Sequence, residues 1–171
     1  MELEYLSTLT SYPDTLESQL RIRFQDCDPF LHLNQACYLN YFVNAREDHL
    51  RAHYGLDIYK YAKENGLGWM VTKNQIAYLR QVMVNEIVTI ESHITSYDET
   101  SINVEFIMWD ETKSKPKALL WATYTFVNLA EGKRAKHPSG INDFFARIKW
   151  NGLSLGISFD DRIKELYNIG R

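Results

Sequence analysis

From Ser18 to Asp26 apolar and polar side chains alternate, with Leu20, Ile22 and Phe24 on one side, and this period of two predicts a strand. The alternation breaks at Asp28-Pro29, a turn-favouring pair. From about Gln35 to Tyr54 the period lengthens. Tyr38, Tyr41, Phe42, Ala45, His49 and Ala52 recur at steps of three and four, which predicts one helix of about five turns. Asn34 is a good N-cap for it and Gly55 a plausible stop. A short helical turn is predicted over 57–64, ending near Asn65-Gly66.

Four segments with strand character follow, at 67–81, 86–97, 101–110 and 117–129. In the second, Val88, Ile90, Ser92 and Ile94 alternate with Thr89, Glu91 and His93, as in an antiparallel strand with one buried and one solvated face. The connections at Asp98-Glu99 and at 111–116 have hairpin length. Residues 140–148 and 159–168 show helical spacing, with Asp143 or Asp160 as candidate helix starts. Both pieces are expected on the outside of the sheet or at a subunit contact. Strand, long helix, then at least four strands joined by short turns imply an α+β sheet wrapped on one helix. No repeat or linker divides the chain, so one domain is expected, with a core at about 18–140 and a helical extension at about 140–171.

Composition narrows the function. The 171 residues are 45% apolar and 24% charged, a globular balance, and eleven Tyr, eight Phe and four Trp suit a sheet with large packed side chains. A formal net charge of -3 gives no overall positive field for nucleic acid or an anionic membrane. No run approaches the roughly 18 apolar residues of a membrane span, and the first residues lack the basic and apolar regions of a signal peptide. Cys27 and Cys37 read as reduced cytoplasmic thiols. No metal or redox cofactor is implied.

The segment RFQDCDPFLHLNQACYLNYFVNAR, over residues 23–46, resembles the active-site segment of the 4-hydroxybenzoyl-CoA thioesterase family. A weaker likeness continues through the strands, where an aromatic-Leu-Arg step precedes a turn; the resemblance covers about residues 18–140. It implies a hotdog fold, in which an antiparallel sheet wraps a long central helix and two copies join edge to edge as a homodimer or homotetramer. It also implies hydrolysis of an acyl-CoA or acyl-carrier-protein thioester. On that resemblance Asp28 is the catalytic carboxylate, as nucleophile or as base for water, and the Gln35 amide is the oxyanion donor, with Ala36 beside it. His32 and Asn34 are polar helpers, and Tyr38 stands on the aromatic stripe expected to line the acyl site. The basic run with Lys133, Arg134 and Lys136 is a candidate for the phosphates of CoA.

Plainer readings stand beside these. Without the resemblance Asp28-Pro29 is a common turn pair, Asn34 a helix cap and the basic run a solvated loop. Glu47 and Asp48 fall in a charged run expected to face solvent or a partner, and Cys27 reads as a small strand residue. The chain departs from its relatives at Phe30, at Leu31 where Gly is common, and in the acidic turn Tyr97–Thr100. The departures at Phe30 and Leu31 keep a non-catalytic acyl-thioester binding module open, and the fold leaves open a dehydratase or hydratase, which the Asp-x-x-x-His loop fits less well.

Overall fold

The computed structural model describes residues 12–169. The chain runs through β1 (Thr15–Arg21), α1 (Tyr38–Tyr54), α2 (Ile58–Asn65), β2 (Leu67–Tyr78), β3 (Ile87–Tyr97), β4 (Ser101–Asp110), β5 (Pro116–Asn128), β6 (Lys133–Arg134), α3 (Ser139–Ile148) and α4 (Phe159–Ile169). The strands form one antiparallel sheet in the order β1-β3-β4-β5-β2, with β6 beside the end of β5. This is the α+β hotdog architecture.

The helix is where its periodicity places it, and its ends follow local chemistry. The Asn34 side chain accepts from the Ala36 amide and opens a 3-10 turn, Gln35–Cys37, that leads directly into α1. Gly55 ends α1 at φ 63°, a left-handed conformation that costs glycine little. Asp57 caps α2 by accepting from the Tyr59 and Lys60 amides. On its buried side α1 sets Tyr38, Phe42 and Ala45 against the inner face of the sheet, where Val88, Ile90, Val104, Phe106, Leu120 and Phe126 complete the core. The Phe42 and Phe106 rings lie 5.6 Å apart, in the range for favourable aromatic contact.

Five expectations change. The first strand ends at Arg21, and Phe24–Asp26 form a 3-10 turn that leaves Phe24 exposed. Cys27 accordingly leaves the strand and meets Leu33 only through an isolated bridge. The outer face of β3 is not solvated: His93 is buried with the Trp150 ring 3.9 Å away, and Thr89 is buried with its hydroxyl donating to the Glu111 carbonyl at 3.3 Å. The first piece of the extension is not outside the sheet, since Ile141, Phe144, Phe145 and Ile148 of α3 join the same core as α1. Only α4 takes the expected outer position, where Leu166 packs with Ile107, Trp109 and Leu119. Neither aspartate starts its helix. Asp143 lies inside α3, and α4 is capped by Ser158, whose Oγ accepts from the Asp161 amide.

Candidate active site

Past the 3-10 turn the chain makes a tight loop at Asp28–His32. The Asp28 amide donates to the His32 carbonyl (2.8 Å) and the Leu31 amide to the Asp28 carbonyl (3.0 Å). The loop is stitched to the segment after β2, with Leu33 N–H on the Val82 carbonyl and Val84 N–H on the Leu31 carbonyl, each at 2.8 Å. Closing this loop requires φ of 65° at Leu31. That left-handed conformation suits glycine best, so a leucine here holds about 1–2 kcal/mol of local strain.

The loop fixes the Asp28 carboxylate. Its Oδ1 accepts from the Phe30 amide (2.8 Å) and the His32 amide (3.1 Å), while Oδ2 accepts no hydrogen bond from the described residues. His32 therefore meets Asp28 through its backbone, and its imidazole makes no hydrogen bond to the carboxylate. Asp26 is occupied differently: its Oδ2 accepts from the Tyr41 hydroxyl at 2.6 Å, tying the loop to α1. Burial, and then the bond to Asp26, push the Tyr41 phenol up to about 12.

Asp28, His32, Asn34, Gln35 and Tyr38 border one open cleft of about 620 Å³, together with Tyr78 and residues 79–82. At its helix end the amides differ. The Ala36 N–H is taken by Asn34 Oδ1 at 3.0 Å, and the Gln35 N–H donates to no group among the described residues. Gln35 thus presents a free amide at the positive end of the helix. Its carbonyl accepts from the Tyr78 hydroxyl at 3.2 Å, and the Tyr78 ring packs edge-on to Tyr38 at 4.9 Å. The sequence pattern singles out no site role for Tyr78; its position in the aromatic-Leu-Arg step at the end of β2 is the available signal. Tyr38 is buried, and burial, then Tyr78, Glu86 and Asp28, push its phenol up to about 12, so it stays a neutral donor at physiological pH.

The basic run lies elsewhere. Tyr78, at the cleft, pairs with Ala118, whereas Lys133 pairs with Asn128. At about 3.3 Å per residue, Lys133 and Arg134 sit roughly 30 Å along β5 from the cleft of their own chain. Lys133 also pairs with Glu131 at 3.5 Å and Lys136 with Glu99 at 2.7 Å. Of the charged run on α1, Asp48 is exposed, while Glu47 is half-buried and accepts from the Tyr59 hydroxyl at 2.5 Å. Among the described residues no helix is long and apolar enough to cross a membrane.

A carboxylate with one free oxygen and a free helix-terminal amide sharing a cleft are the two groups an acyl thioester needs, one to deliver oxygen and one to receive negative charge. Solved structures share the fold. YbaW, a probable thioesterase from Escherichia coli, superposes with TM-score 0.68 at 20% identity over 78% of this chain and 99% of its own. Slr0204, a 1,4-dihydroxy-2-naphthoyl-CoA thioesterase from Synechocystis, gives 0.70 at 13% identity over 77% and 96%. The 12:0-ACP thioesterase of Umbellularia californica gives 0.73 at 13% identity, over 88% of this chain and 55% of that one. No curated protein matches by sequence. The family profile of the Thioesterase-like superfamily matches residues 22–145, which include the whole Asp28 loop and every strand after β1, and the chain belongs to that superfamily.

Proposed function

We propose that this protein is a cytoplasmic enzyme that hydrolyses an acyl-CoA or acyl-carrier-protein thioester to the free acid and thiol, using Asp28. The observation that carries the reading is the shared cleft of Asp28 Oδ2 and the Gln35 N–H, neither of which is spent on the fold. A water proton passes to Asp28 Oδ2 as the water oxygen bonds to the thioester carbon. The carbonyl electron pair moves to oxygen, which accepts from the Gln35 amide. When the intermediate collapses the C–S bond breaks, and the thiolate leaves with the proton held on Asp28. The Tyr38 hydroxyl, neutral to about pH 12, is a further donor to bound substrate, and Asn34 and His32 shape the cleft. Direct attack by the carboxylate, through an anhydride, uses the same geometry.

The active form is a homodimer or a larger assembly of such dimers. Residues 70–75 of β2 are all exposed on a sheet edge, with Met70 and Val71 among them. An uncovered sheet edge of this length invites a second strand. Antiparallel pairing of two β2 edges about a twofold axis brings Lys133 and Arg134 of the partner subunit to the end that carries Asp28. That arrangement gives the basic pair a route to the substrate's phosphates that its own chain lacks.

Thiol release from acyl-CoA and acyl-carrier-protein substrates of graded chain length tests the reading. Wild type turns over, and Asp28→Asn folds and loses activity by at least a hundredfold. Undiminished turnover in Asp28→Asn removes the assignment. The exposed Phe30 and Leu31 favour a second reading, a binding module, which predicts thioester binding with no release by either protein.

A further inference from the structure

Arg46 lies on the inward side of α1 with 7% of its surface exposed, beside the buried polar residues His49 and Ser92. Its Nη1 donates to Ser92 Oγ at 3.2 Å, and its remaining nitrogens donate to no group among the described residues. No carboxylate of the described residues lies within ion-pairing distance. The second buried base beside it does not help: His49 holds the same Ser92 Oγ through Nδ1 and Ser18 Oγ through Nε2, both at 2.9 Å, and burial together with the Arg46 charge pushes its pKa down to about 4. At neutral pH the cluster carries one uncompensated positive charge inside the protein. Such a charge is costly when it is unpaired and becomes favourable when an anion meets it.

The space that an anion would take is next to it. Arg46 borders a second cavity of about 80 Å³, distinct from the Asp28 cleft, whose walls are Trp69, Ile94, Ile102, Val104, Tyr124 and Phe145. Tyr124 borders the same cavity as Arg46, and its hydroxyl makes no hydrogen bond to any described residue. Glu47 also borders the cavity, and its carboxylate is engaged by the Tyr59 hydroxyl at 2.5 Å instead of by Arg46. A cavity with one cationic group, one phenol and apolar walls selects a ligand with one anionic end and an apolar remainder. At about 10–15 Å³ per water-sized group, its volume corresponds to roughly five to eight non-hydrogen atoms.

We infer that the cavity between α1, the inner sheet face and α3 is a binding site for a short-chain monocarboxylate, held by Arg46 at its carboxylate and by the apolar walls along its chain. The site is independent of the thioesterase reading, because its residues are separate from those of the Asp28 cleft. Bound carboxylate accepts from the free Arg46 nitrogens and the Tyr124 hydroxyl, and the planar guanidinium offers the paired donors that suit two carboxylate oxygens.

Calorimetric titration of the full-length protein at pH 7 with pentanoate, pentanol and formate tests it. Pentanoate binds at one site per chain, and pentanol and formate bind at least tenfold more weakly, one for want of charge and the other for want of a chain. Arg46→Met, which replaces an unpaired buried charge by an apolar side chain of similar length, abolishes the preference for pentanoate over pentanol. Asp28→Asn leaves pentanoate binding unchanged. The inference is overturned if pentanol or formate binds as well as pentanoate in wild type, a comparison that needs no variant to fold. It is equally overturned if Arg46→Met keeps pentanoate affinity, or if affinity depends on Asp28 instead.

Discussion

Arg162 of α4 grips Glu105 of β4 across the outer face of the sheet, with Nη2 2.8 Å from Oε1 and Nε 3.1 Å from Oε2. Glu105 is fully buried and also accepts from Trp121 Nε1 at 2.6 Å and His93 Nε2 at 3.2 Å. Burial pushes the Glu105 carboxyl up, but the hydrogen bonds from His93, Arg162 and Trp121 and the Arg162 charge outweigh it and hold it below its ordinary value. This network docks the C-terminal extension on a face that strand periodicity alone leaves to solvent.

Removing one partner of that pair strands the other. Arg162→Met is expected to cost about 3–5 kcal/mol in urea unfolding, since it leaves the Glu105 carboxylate buried without its cation. The double variant Arg162→Met/Glu105→Leu recovers much of that loss, because two apolar side chains of similar volume suit the site. Equal losses in the single and double variants would contradict a coupled pair.

His49 makes stability depend on pH on the acid side. Its imidazole titrates at about 4 in the folded chain, against 6.5 when free, because burial and the Arg46 charge both disfavour its charged form. The unfolded chain therefore takes up the proton first as pH falls. Thermal stability is expected to be level above about 6.5 as far as this group decides it, and to decline from there to about 4. Below that both states are protonated and the contribution is gone. In His49→Gln the decline across this window is shallower. A variant curve parallel to wild type between these limits would assign the decline to other groups.

Leu31 holds a left-handed φ of 65° with 47% of its surface exposed. Leu31→Gly relieves the strain and adds freedom to the unfolded chain, so the two effects leave stability within about 1 kcal/mol of wild type. Leu31→Val, with its branch at Cβ, is expected to lower stability by about 1–2 kcal/mol, read as a drop in melting temperature. If valine is tolerated as well as glycine, the loop does not need the left-handed conformation.

These residues show what was legible in the chain. The 3.6-residue period and the caps at Asn34 and Gly55 located α1, because both act through neighbours in sequence. The end of β1 was misjudged because Ile22 and Phe24 continue a period of two through a turn that the loop stitched to 82–86 imposes from far along the chain. The burial of His93 depends on Trp150, far along the chain, and that of α3 on four apolar residues whose amphipathic spacing fits an inner surface as well as an outer one. Arg46 was hidden by its neighbours: in a run of charged residues nothing local marks the one that turns inward. The Asp28 segment was legible through resemblance, and the division of labour between the Gln35 and Ala36 amides was not, since it rests on which amide Asn34 caps.

That division permits a test on a backbone group. Gln35 is the first residue of its helical turn, and Asn34 before it is extended at φ -63° and ψ 134°, a conformation that the residue preceding proline readily adopts. Proline is well tolerated at a first helical position, where the N–H has no intrahelical partner. Gln35→Pro therefore removes the free N–H while keeping the turn, and Gln35→Ala keeps the N–H and removes only the side chain. If that amide receives the developing oxyanion, Gln35→Pro lowers kcat by about a hundred- to a thousandfold with a much smaller change in KM. Gln35→Ala stays within a few-fold of wild type, and circular dichroism reports both variants folded. A Gln35→Pro enzyme with wild-type kcat would move the oxyanion donor to another group of the cleft, with the Tyr38 hydroxyl the next to be tested by Tyr38→Phe.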